Sequence, residues 1–240
     1  MTQPIKTWHE ADGRLLRLRL DRPKANLVDA AMIAALDQAL ASRARTVWSV
    51  VFPTALSGMT TAQAHVLHSV QAAALTSTQT AALNSNQVVA MLTESVAVLT
   101  TAAVRSLRTA AIAAMGTDQI AVLNTSDIAA LTTSQISALG TAQIVALTSA
   151  GAATLSSAQA AVLSSAQISV METADFAKLS TTAFRSIRSE GIAALTTAQI
   201  DVLSTAQFRS MTTAQIAALS TTNVGALTSA DTAALTSAQA

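Results

Sequence analysis

At 240 residues the chain is long enough for one large or two small domains, and its 51% apolar content excludes a purely disordered tail. Charged residues make up 11% and nearly cancel at a net +1, which excludes the electrostatic footprint of a nucleic-acid binder or of a protein held on an anionic membrane. The absence of cysteine excludes disulfide staples and thiolate metal sites.

In chain order, the first ten residues lack the apolar core of a secretory signal, and no uninterrupted apolar run approaches the roughly 18 residues of a membrane span. A soluble protein, cytoplasmic by default, is therefore expected. Residues 1–45 carry eight Lys/Arg against five Asp/Glu, and the remainder six against eight, a break that marks a domain boundary. Residues 14–20 alternate basic and apolar side chains as a strand does, Asp21, Arg22 and Pro23 make a turn, and residues 29–40 have helical periodicity with Asp29 as cap. The N-terminal unit thus reads strand, turn, strand, helix.

The run Asp-Gly-Arg-Leu-Leu-Arg-Leu-Arg-Leu-Asp-Arg-Pro-Lys-Ala-Asn-Leu-Val-Asp at residues 12–29 resembles the opening of the crotonase (enoyl-CoA hydratase) superfamily. The continuation Ala-Ala-Met-Ile-Ala-Ala-Leu at residues 30–36 is most similar to its cyclohexadiene-carbonyl-CoA hydratase branch. The resemblance spans residues 1–43, the first hairpin and first helix of that fold. It implies a CoA moiety beside Lys24 and Ala25, just after the Arg-Pro turn. The family's oxyanion hole comes from two later Gly-containing loops, and here residues 47–53, Val-Trp-Ser-Val-Val-Phe-Pro, replace the expected Phe-Ser-x-Gly-Ala-like loop. Without two amide donors aimed at the thioester oxygen, the largest source of enolate stabilisation is lost, so no catalytic residue is assigned. Residues 46–58 are expected to link this segment to the repeats beyond it, with Trp48 and Phe52 as an apolar adhesive.

From Met59 to Leu235 every eighth residue is Leu, Met or Ile, without a slip over twenty-three octads. With that anchor as position 1, the octad reads Leu-[Thr/Ser]-[Thr/Ser]-Ala-Gln-[Ile/Val]-x-Ala, and position 3 is Ser or Thr every time. An apolar N′ residue, a hydroxyl N-cap, Gln at N3 and an apolar N4 constitute a capping box with a hydrophobic staple. Position 2 is Ser, Thr, Asn or Gly in eighteen of twenty-three octads, the exceptions being His68, Leu92, Arg108, Glu172 and Arg188. A single long helix is excluded, because eight residues advance about 800° and would spread leucine around every side. A β-solenoid is the competing architecture, disfavoured by the Ala, Gln and Leu content and by the lack of regular Gly, Asn and Asp corners.

The expected fold is therefore mainly α: residues 59–240 form a solenoid of very short helices, preceded by a small β-hairpin plus helix. Helices of six or seven residues are far below the ~12–15 needed to stand alone, so stacking on neighbours is obligatory. The Leu and Ile/Val positions should form an inner seam, and Ala at positions 4 and 8 should allow close approach. The octads resemble the Thr- and Ala-rich tandem repeats of some long bacterial proteins.

A second rhythm, ten octads long, overlies the first: Val104, Arg105, Leu107 and Arg108 answer Phe184, Arg185, Ile187 and Arg188, and small residues recur at position 6 as Ala72 and Thr80, Ala152 and Ala160, Thr232 and Ala240. Either a block was duplicated, the favoured reading, or ten octads complete one superhelical turn.

Candidate sites are few. His65 and His68 are spaced to share a helix face, but no third ligand is near in sequence, and a solvent-facing pair is expected over a metal site. The pairs Arg105 with Arg108 and Arg185 with Arg188 are basic spots suited to an anion, or exposed bends where the cap is lost. The position-3 hydroxyls form either a ligand-binding ladder or a means of satisfying free amides at helix starts. No Ser-His-acid triad, Gly-rich phosphate loop or paired carboxylates stand out. These features point to a structural or protein-interaction scaffold, with self-association through the solenoid ends and no resident cofactor; the alternative is an acyl-CoA hydratase relative, which alone would take a CoA ester.

Overall fold

The computed structural model describes residues 5–10, 15–20 and 56–240, apart from 238 and 240. Two strands, β1 (Ile5–Glu10) and β2 (Leu15–Leu20), pair antiparallel with Ile5 opposite Leu20 and Glu10 opposite Leu15. The helix expected over residues 29–40 and the segment 46–55 lie outside the described residues.

A 3-10 turn, Leu56–Gly58, is followed by twenty-two α-helices of four to six residues each, from Thr61–His65 to Ser229–Ala234. The capping box forms as the octad dictates. In Thr133–Ser137 the Gln135 amide N–H donates to Thr132 Oγ1 at 3.2 Å, and the Thr132 N–H donates to Gln135 Oε1 at 2.8 Å. At Leu92, Arg108, Glu172 and Arg188 the N-cap side chain makes no such bond. Glycine caps keep half the box: the Gly116 and Gly140 N–H groups still donate to Gln119 and Gln143 Oε1, at 3.1 and 2.8 Å.

Each helix is stopped by its next anchor. The Leu139 N–H donates to the Ile136 carbonyl at 3.2 Å, closing the last turn three residues back, and the same bond recurs from Leu67 to Leu235. The corner is then made by two extended residues, as at Leu131 (φ −56°, ψ 137°) and Thr132 (φ −71°, ψ 159°). Neither needs positive φ, so no glycine is required at the corners.

Consecutive helices turn the corner, and packing is between helices three apart. Thr101–Ser106 lies between Ser77–Ala82 and Thr125–Ala130, and Thr181–Ser186 between Ser157–Ala160 and Thr205–Ser210. Three octads thus make one coil, and helices stack in three columns. This overturns the ten-octad turn: ten octads span three and a third coils, so matching sites in the two blocks sit on different columns.

The core runs up the inside of the coil. Positions 1 and 6 are buried through the middle coils, with Ile112, Ile120, Ile128, Ile136 and Ile144 at most 2% exposed, and Leu56 joins the same core in the position-6 register. Alanine at position 4 does not mediate close approach. That position is exposed wherever described, on the outer side of the first helical turn, where alanine supplies helix propensity. Small core residues sit instead at position 6, and their partners lie one coil on. Ala152 and Ala160 are followed three octads later by Phe176 and Phe184, whose rings meet edge to face at 5.8 Å. All four side chains are fully buried.

Candidate functional site

The most regular polar groups of the molecule are buried. The position-5 glutamines are 1–9% exposed where they are buried, as at Gln63, Gln87 and Gln135, and each has two polar ends to satisfy. The Oε1 completes the capping box. The Nε2 donates to the coil beneath, to the anchor carbonyl 28 residues earlier: Gln135 to Leu107 at 2.7 Å, Gln143 to Met115 at 2.8 Å, Gln167 to Leu139 at 2.8 Å. Several reach the position-6 carbonyl 31 residues back as well, as Gln199 does to Ile168 at 2.7 Å. All ten glutamines at this position from Gln87 to Gln239 make the bond to the earlier anchor. One side chain therefore joins the start of its own helix to a corner of the coil below, leaving neither end of the amide without a partner.

Where position 5 departs from Gln, the stitch is rebuilt or lost. Asn223 Nδ2 reaches the Leu195 carbonyl at 2.9 Å and Ser95 Oγ the Leu67 carbonyl at 2.5 Å. Asp127 and Asp175 cannot donate, and the direction reverses: the position-3 hydroxyls of Thr101 and Ser149, on the coil below, donate to them. Asp175 Oδ2 is the one buried side-chain oxygen without a partner among the described residues. At Gly191 an added Cβ would fall 2.8 Å from Ile187 Cγ2, so the anchor that is isoleucine leaves no room for a side chain at position 5 of its octad.

The sites expected from sequence fall as follows. Lys24 and Ala25 lie outside the described residues. His65 and His68 are both exposed, and the His65 Nδ1 lies 3.1 Å from the Ala90 carbonyl of the next coil, so the ring donates there. No group of three His, Cys, Asp or Glu able to hold a metal occurs among the described residues. Arg108 Nε donates to the Ala81 carbonyl at 2.9 Å and Arg188 Nη2 to the Leu163 carbonyl at 3.4 Å, both one coil below, so these arginines occupy the N-cap position without capping and bridge coils instead. The position-3 hydroxyls do not cap helix amides. Several bond instead to the coil above, Ser85 to the Ala110 carbonyl at 3.0 Å and Ser165 to Glu190 at 2.9 Å.

The stitch that sequence reasoning missed had a signal. Of the twenty-three octads, thirteen have Gln at position 5 and none has Glu, although a capping box accepts either and a carboxylate suits a helix N-terminus better. Exclusive use of the amide marks a need for its N–H.

Among the described residues, those at 59–73 and at 219–235 differ from those between them. Gln63 and Gln71 have no acceptor for Nε2 among the described residues, and no described side chain donates to the carbonyls of Leu219, Leu227 and Leu235. Val224, at position 6, is 53% exposed, against 2% or less for the isoleucines of residues 112–144. No helix among the described residues is long and apolar enough to cross a membrane.

Short helices in octads, three to a coil, joined by buried amides, define a tandem-repeat helical protein. The ALTTAQ repeat family matches residues 88–125, 120–157, 168–205 and 200–237, more than half of the chain, and the protein belongs to that family. A separate, short likeness exists to the cyclohexa-1,5-dienecarbonyl-CoA hydratase of Thauera aromatica, 72% identical over 39 residues. That stretch is 16% of this chain and 15% of the hydratase, so the chain covers only a small part of its curated relative. No solved structure matches.

Proposed function

We propose that the protein is a non-catalytic repeat scaffold whose role is structural or is to bind another protein. One observation carries the reading: in the described coils the regular buried polar side chains are engaged in holding one octad to another. A stack of this kind offers a long lateral surface, the part of a solenoid that meets partners.

The hydratase-like stretch supports a second reading, a relative of the CoA-ester hydratases in which Lys24 and Ala25 lie beside CoA. Its named relative acts on cyclohexa-1,5-dienecarbonyl-CoA, so that ester is the probe. Calorimetric titration of the full chain with it should give no heat of binding and no hydration product. Saturable binding that disappears in Lys24→Ala would overturn the scaffold reading and establish the second.

A further inference from the structure

We infer that the buried carboxylate of Asp175 binds a monovalent metal cation together with the Leu147 and Ile144 carbonyls of the coil below. Asp175 is 2% exposed, and its Oδ2 is the one buried side-chain oxygen without a partner among the described residues. Its Oδ1 accepts from Ser149 Oγ. The charged side chains of the same octad, Glu172 and Lys178, are exposed, and neither gives Oδ2 a partner. A carboxylate oxygen taken from water without a compensating contact is among the costliest groups a fold can bury.

The register of the stitch supplies what faces it. At position 5 a glutamine Nε2 donates to two carbonyls at once, the position-6 carbonyl 31 residues back and the anchor carbonyl 28 back: Gln143 to Ile112 and Met115, both at 2.8 Å, and Gln167 to Ile136 and Leu139, at 3.0 and 2.8 Å. For position 175 the same register brings up Ile144 and Leu147. The Leu147 carbonyl accepts from no described donor. A side chain of aspartate length reaches that far, since Asn223 Nδ2 lies 2.9 Å from the Leu195 carbonyl. Aspartate therefore turns an oxygen toward two more oxygens at the seat where the other coils hold an amide N–H. Three hard oxygens with one negative charge suit an alkali cation, whose hydration shell backbone carbonyls can replace. A divalent ion would leave a positive charge buried without a counterpart, and no group of three His, Cys, Asp or Glu able to hold a metal by side chains alone occurs among the described residues.

Asp127 is the internal control. It too stands at position 5 and is fully buried, but Thr101 Oγ1 donates to its Oδ1 at 2.9 Å and the Asn124 N–H to its Oδ2 at 3.2 Å, so both oxygens are engaged. At Asp175 the N-cap is Glu172, no such N–H bond reaches the carboxylate, and Oδ2 faces the cation.

Thermal unfolding of the full chain, followed by circular dichroism in sodium, potassium and tetramethylammonium chloride at equal ionic strength, tests this. Tetramethylammonium screens charge equally and is too large for the seat. The sodium or the potassium salt should raise the thermal midpoint by about 2–4 °C over tetramethylammonium, saturating with concentration. Asp175→Asn should erase that difference while keeping the wild-type spectrum, because its amide can donate to Leu147 as Asn223 does to Leu195. Asp127→Asn should leave the difference in place. Equal midpoints for the wild-type chain in all three salts overturn the inference, as does a cation-specific rise that survives Asp175→Asn. Neither result bears on CoA-ester binding, so failure here leaves the scaffold reading to its own titration.

Discussion

Position 6 is isoleucine five times running in residues 112–144, whereas in residues 152–184 it runs Ala152, Ala160, Ile168, Phe176, Phe184. Both stretches bury these side chains almost completely. The first fills the coil with equal units. The second places two small residues and then, one coil later in the same two columns, two large ones. In this stretch small and large core residues are therefore paired along a column, at a spacing of three octads, and not between sequence neighbours. Ala152 and Ala160 are matched by Phe176 and Phe184 one coil on, whereas Ala72 and Thr80 of the same ten-octad rhythm are followed by Val96 and Val104.

The sharpest way to break that comparison is to empty the varied stretch. Phe176→Ala should cost about 3–5 kcal/mol in urea denaturation, whereas Ile136→Val in the uniform stretch should cost about 0.5–1.5 kcal/mol. Overfilling is the next test. Ala152→Ile alone should destabilise by about 1–3 kcal/mol, and combining it with Phe176→Leu should recover part of that loss, a coupling of about 0.5–3 kcal/mol. The same Ala152→Ile change combined with a substitution at Ala160, one octad away, should show no such recovery.

A smaller effect separates two glycines at position 5. Gly191→Ala drives a methyl to 2.8 Å from Ile187 Cγ2 and should lower the thermal midpoint, while Gly151→Ala meets nothing closer than 3.4 Å and should be neutral or raise stability by about 0.5–1 kcal/mol. Least of all, Arg108→Ala removes one exposed donor to the Ala81 carbonyl and should shift stability by no more than about 1 kcal/mol.

Much of the octad was legible in the sequence because its determinants are local. The cap at Thr132, the reciprocal bond from Gln135 and the exceptions at Leu92 and Glu172 depend on residues within one helical turn. The number of octads in a coil was not legible. It is set by the corner angle, and the corner is built from extended residues such as Leu131 and Thr132 whose φ and ψ carry no distinctive residue signature. The place of alanine was misjudged for a related reason: position 4 is small both where helices touch and where propensity alone selects it, and only the coil geometry distinguishes the two. Gln135 shows what a fuller reading yields. Its capping role was evident, and its second bond, to Leu107, was implied by an amide that is never exchanged for glutamate.

The most direct test of the three-octad coil is a comparison of Gln135→Glu with Gln71→Glu by urea denaturation at neutral pH, in dilute solution. Glutamate keeps the oxygen that accepts from the N-cap and loses only the donor to the coil beneath. At Gln135 it would set a carboxylate oxygen against the Leu107 carbonyl, and a loss of at least about 1–3 kcal/mol is expected. At Gln71, which has no such acceptor among the described residues, the change should stay within about 0.5 kcal/mol. Equal effects at the two positions would contradict the stitched coil.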